Sequence, residues 1–139
     1  MKEIYSKLDP KMLLHIVHKK EEITEMRRDL IAPNECLQVS TLCLPKDKTF
    51  KPHKHIPTLK CTSTTQESWV VIQGRVKAIL YDLNDSVIAE EILEPGDISV
   101  TLWGGHNYVA LEEDTLVYEF KTGPYLGQEK DKRFIDEDG

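Results

Sequence analysis

The sequence predicts an all-β domain, and three observations lead there. Between Cys36 and Lys121 lie short segments rich in β-branched and aromatic residues; turn-forming residues separate them; and apolar and polar side chains alternate along several of them. Strands of that length at regular spacing indicate a sandwich or a barrel. A chain of 139 residues is long enough for one domain with a single core and short for two.

Residues 1–35 form an N-terminal extension, expected to be a short α/β piece and a candidate for dimerisation. DPKMLLHIVHKKEEI fits a helix starting near Asp9 with Pro10 at its first position, and equally an extra strand carrying His15 and Val17 on one side. TEMRRDLIAPNE reads as a short helix or loop that ends before Pro33. His15 and His18 have no acidic or cysteine partner in sequence and read as packing or surface histidines.

Residues 36–125 hold the strands: CLQVSTLCL (36–44), FKPHKHI (50–56), ESWVVIQ (67–73), RVKAILYDL (75–83), VIAEEIL (87–93), DISVTLW (97–103), NYVALE (107–112) and TLVYEFK (115–121). Pro45, Gly74, Asn84-Asp85-Ser86, Pro95-Gly96-Asp97, Gly104-Gly105 and Glu113-Asp114 punctuate them. Glu67, Trp69 and Val71 share one parity, and so do Ile98, Val100 and Leu102, to which His106 adds if no bulge intervenes. Polar candidates are thereby expected on apolar faces. Residues 126–139 are a polar tail that Phe134 and Ile135 can dock, with the last few residues loose.

Charge narrows the partners. With 24 acidic and 18 basic residues the net charge is −6, which argues against nucleic acid and anionic lipid and leaves a small-molecule ligand. No stretch reaches the length of a membrane span and MKEIYSKLDP lacks an apolar signal core, so a cytoplasmic location is expected. Cys36, Cys43 and Cys61 form no CxxC pair and read as reduced thiols.

His53 and His55 are two apart, so on a strand both imidazoles project the same way. Glu67 opens the next strand, and His106 lies on one that can close the ring. Three imidazoles and one carboxylate suit Fe, Mn, Ni, Co, Cu or Zn.

At these residues the chain resembles the cupin superfamily. The family's first motif is a glycine, five residues, HxH, a short spacer, a glutamate, six residues and a glycine; here stand His53-Lys54-His55 and ESWVVIQG, from Glu67 to Gly74. The second motif, glycine-rich and ending on histidine, is matched by PGDISVTLWGGH. The spacer IPTLKCTSTTQ is eleven residues long, well beyond the family's usual span, and would be an enlarged hairpin over the barrel mouth. The second motif lacks its proline, is one residue short, and has no asparagine at the usual place. The resemblance implies a double-stranded β-helix, or jelly-roll barrel, holding one divalent transition metal ion on His53, His55, Glu67 and His106.

It also resembles small single-domain cupins associated with surface-carbohydrate gene sets. That implies an enzyme on a small polar, carbohydrate-related molecule, an isomerase or epimerase with Glu119 or Tyr108 moving the proton. An iron-dependent dioxygenase and a non-catalytic binding module stay open, since one architecture hosts many functions. Pairing of small cupins through edge strands or an exchanged N-terminal segment makes a homodimer the expected state.

Overall fold

The computed structural model describes residues 1–135, and these form an antiparallel all-β architecture. The strands are β1 (Lys2–Tyr5), β2 (Leu13–His18), β3 (Arg28–Asp29), β4 (Ser40–Thr41), β5 (Glu67–Gln73), β6 (Val76–Tyr81), β7 (Val87–Leu93), β8 (Ile98–Thr101), β9 (His106–Ala110) and β10 (Leu116–Lys121). A single 3-10 turn spans Lys20–Glu22, and one helical turn, α1, spans Gln128–Asp131. The looseness expected of the final residues concerns positions outside those described.

Two sheets face each other. One runs β1-β2-β8-β5-β10 and the other β7-β6-β9, while β3 and β4 form a separate two-stranded ribbon. Among the described residues the sheets do not close into a barrel: β10 and β9 are both edge strands.

The register decides which side chains look inward. Directly paired residues share a face of a sheet. His15, Thr101, Glu67 and Lys121 therefore make one row across the large sheet, and Val17, Ser99, Trp69 and Glu119 make the next. Both rows face the small sheet, where Leu80 pairs His106 and Ala78 pairs Tyr108. Between the sheets lie Ile4, Val17, Val71, Val76, Ala78, Leu80 and Leu93, with Trp69 and Tyr108 packed against them.

The opposite face of the large sheet carries the rows Ile16–Val100–Ser68–Phe120 and His18–Ile98–Val70–Tyr118. Leu30 and Ile31 cover its β2–β8 part and build a second core with Ile16, Val100 and Leu102. Ile98, Val100 and Leu102 thus do not share a face with the site. The bend at Trp103-Gly104-Gly105 breaks the parity on which that expectation rested, and His106 enters the site from the other sheet.

The N-terminal residues resolve as strand and 3-10 turn, with no α-helix before Pro33. Of the two readings of DPKMLLHIVHKKEEI the strand is the one formed, because Leu14, His15, Ile16, Val17 and His18 are buried in succession between two cores. A helix would have turned part of that run to solvent. Two carboxylates pin the segment down. Asp82 accepts from Ser6 Oγ at 2.5 Å, from the Lys7 amide at 2.7 Å and from the Leu83 amide at 2.8 Å. Asp97 accepts from Lys19 Nζ at 2.8 Å and from the Lys20 and Glu94 amides at 2.9 Å each.

Residues 42–66 have no regular secondary structure, so FKPHKHI is not a strand here, and of CLQVSTLCL only Ser40–Thr41 is paired. Pro45, Pro52 and Pro57 each remove a ladder donor, and five lysines between 46 and 60 favour hydration. Ile56 and Leu59 are 84% and 98% exposed, so the segment gains nothing from either core.

Candidate functional site

One end of the intersheet space opens as a cleft of ≈ 540 Å³, within the range of small-molecule sites. Its walls include Glu67, Trp69 and Glu119 from the large sheet, His106 and Tyr108 from the small one, and Asp131–Ile135 from the tail. Each side chain is aimed by its strand. Glu67, Trp69 and Glu119 lie on the inward rows set by β5 and β10, and His106 and Tyr108 occupy alternate positions of β9.

At the centre His106 Nε2 lies 3.2 Å from Glu67 Oε1, and Glu67 is nearly buried. The same Oε1 accepts from Trp69 Nε1 at 3.1 Å, while that indole N–H also reaches Glu119 Oε2 at 3.2 Å. One donor thus holds two carboxylates. Nε2 of His106 faces Glu67, and its Nδ1 is buried with no hydrogen-bond partner. Burial pushes the Glu67 carboxyl up, but donation from His106, the charges of His106 and Lys132, and the Trp69 bond outweigh it. Its pKa lies below the ordinary carboxylate value.

Trp69 and Tyr108 stack with ring centroids 4.1 Å apart and planes 12° apart. The Tyr108 hydroxyl is 3.3 Å from Ser99 Oγ. Burial pushes it up to about 12, and the nearby Glu67 and Glu119 charges add to the effect. Tyr108 therefore keeps its proton and serves as a wall of the cleft. Below it, His15 is fully buried, with Nε2 donating to the Tyr81 carbonyl at 2.9 Å and Nδ1 3.1 Å from Thr101 Oγ1. Gly104 permits that approach: its φ is +77°, and a Cβ there would collide with the Tyr81 carbonyl.

Of the four residues expected to bind metal, the structure brings Glu67 and His106 together and leaves His53 and His55 apart from them. His53 and His55 are both exposed on the irregular segment, with ring centroids 5.4 Å apart, and neither lines the cleft. His53 Nδ1 is 2.9 Å from the carbonyl of Lys51. Among the described residues no three His, Cys, Asp or Glu side chains converge to hold an ion. As placed, these residues do not make a metal centre. Glu119, the expected proton carrier, does line the cleft with its side chain 38% exposed.

Sequence reading passed over Ser99 and Thr101, while His15, read as a packing or surface histidine, is buried. Ser99 and Thr101 hold the odd positions of DISVTLW, opposite the apolar parity, and only their pairing with Trp69 and Glu67 turns them inward. The tail residues Asp131–Ile135 carried no signal as site residues at all. No helix among the described residues is long and apolar enough to cross a membrane. Comparison with protein-family models, with curated proteins and with solved structures gave no match.

Proposed function

We propose that this chain binds a small polar, carbohydrate-like molecule in the cleft and moves a proton on it, as an isomerase or epimerase does. One observation carries the reading: two carboxylates, Glu67 and Glu119, and the His106 imidazole face one cleft, with a single indole N–H joining the acids. Glu67 is committed to His106 and Trp69, whereas Glu119 is partly open to the cleft. Their environments differ, which is the arrangement that divides acid–base roles. In this scheme Glu119 takes the proton from the carbon next to a carbonyl and delivers it to the former carbonyl carbon, while the hydroxyl proton moves to the former carbonyl oxygen. The His106–Glu67 pair orients the oxygen on which charge develops, and the Trp69–Tyr108 stack gives the ring or chain an apolar wall. Solvent deuterium exchange into a panel of hydroxy-carbonyl compounds tests this, with exchange lost in Glu119→Gln. Binding without exchange in the unmodified protein would establish a binding module instead.

A second reading rests on the open strand edges. The strand orders β8-β5-β10 and β7-β6-β9 support it, since a jelly roll would add one strand beside β10 and one beside β9. We propose that CLQVSTLCL and FKPHKHI supply them, giving the cupin barrel. Pro52 is tolerated there because edge strands accept proline. Asp47, six residues before His53 where the cupin motif has glycine, has φ 64°, the left-handed conformation glycine favours. Docking beside β9 would carry His53 and His55 toward His106, so that the four residues could hold a divalent cation. Such an ion would supply Lewis acidity, or dioxygen chemistry if it is iron. The edges of β1 and β7 then stay open, and we assign that of β1, in the N-terminal extension, to the homodimer, which light scattering reads. The exposed thiols of Cys36, Cys43 and Cys61 are free and suit a cytoplasmic protein.

A further inference from the structure

The cleft is walled in part by the chain's own tail. Asp131, the last residue of α1, and residues 132–135 after it line the cleft together with Glu67 and His106. The anchors are few and local. Asp131 accepts from Thr65 Oγ1 at 3.0 Å and lies 3.6 Å from Lys121 Nζ. Arg133 pairs with Asp85 at 2.9 Å. Ile135 packs on Gly105 so closely that a Cβ there would collide with its Cδ1.

We propose that this segment is a displaceable strap that gates entry to the cleft. Its strength is suited to that use. The Arg133 side chain is 81% exposed, and ion pairs so open to water are weak and screened by salt. Phe134, the largest apolar side chain of the strap, is 73% exposed and adds little burial. Ile135 sits closely on Gly105, where the absence of a side chain leaves a seat. Opening exposes little of Arg133 and Phe134 that is not already in water, while closure covers Glu67 and His106.

The strap is tested without any ligand. Trp69 forms part of the covered wall, and the chain has one other tryptophan, Trp103. In a full-length Trp103→Phe protein, the acrylamide quenching constant of Trp69 should rise about twofold or more when Ile135→Asp and Arg133→Glu are added. Raising salt to about 1 M should raise it in the parent as well, because the anchoring ion pairs are screened. If the double variant folds poorly, Ile135→Ala reads the same direction. Quenching unchanged by both the variants and salt would overturn the strap. Because quenching measures cover alone, a strap confirmed here would stand even if the proton-transfer reading failed, and the reverse also holds.

Discussion

His106 Nε2 and Glu67 Oε1 stand 3.2 Å apart across the gap between two sheets, on strands separated by 32 residues of chain. The same carboxylate oxygen receives the Trp69 indole. Replacing Glu67 with Ala would leave His106 Nε2 without its acceptor and the Trp69 indole with Glu119 alone. A loss of about 1–3 kcal/mol is expected, the usual cost of stranding buried polar groups. The sign with pH follows from the depressed Glu67 pKa: the contribution is complete above the ordinary carboxylate value of 4.5 and fades as pH falls through the folded value. Urea midpoints of parent and Glu67→Ala should therefore converge in acid; parallel curves would rule out the pairing.

His15 should make stability pH-dependent over a second window. Burial lowers its pKa from 6.5 to about 4, with the Tyr81 carbonyl opposing. Between those values the unfolded chain binds the proton and the folded chain does not, so stability falls as pH drops from about 6.5 to about 4. The shift corresponds to roughly 3 kcal/mol at most. Thermal melts of parent and His15→Gln across that range measure it, and an unchanged slope in the variant would assign the dependence to another group.

Asp97 ties the turn after β7 to the end of β2. Asp97→Ala removes the acceptor for one ammonium and two amides; it strands the Glu94 and Lys20 amides and leaves Lys19 Nζ with the Ile92 carbonyl alone. The expected loss is about 2–4 kcal/mol, and Asp97→Asn should recover part of it by keeping an acceptor. Chemical denaturation of the pair checks both numbers. Equal losses would mean that charge, not hydrogen-bond geometry, dominates.

Metal content separates the two readings of the site. If FKPHKHI docks beside β9, protein purified without added metal should carry about one ion per chain. His53→Ala and His106→Ala should then each lower occupancy by about tenfold or more. Loss with His106→Ala but not with His53→Ala would place any cation on the cleft pair alone. Elemental analysis of the three proteins decides.

The strands from 67 to 121 were legible because alternation and punctuation are local signals. ESWVVIQ and VIAEEIL match β5 and β7 residue for residue, and Gly74 fixes the hairpin between β5 and β6 with φ +74°. The strand at 50–56 was not formed for a reason also written locally, in prolines and lysines that outweigh two histidines and an isoleucine. Residues 13–18 were ambiguous because LLHIVH fits a helix and a strand equally; burial on both faces of a sheet settled it.

By itself the sequence determined the β class, the turns and the chemical types of the site residues, since these follow from backbone preference and side-chain chemistry over a few positions. Only the tertiary structure decided that Glu67 meets His106 while His53 and His55 stay outside, that Ser99 and Thr101 face inward, and that the tail lines the cleft. Those outcomes depend on register between strands distant in the chain and on the fit of Ile135 to Gly105, which no local pattern encodes.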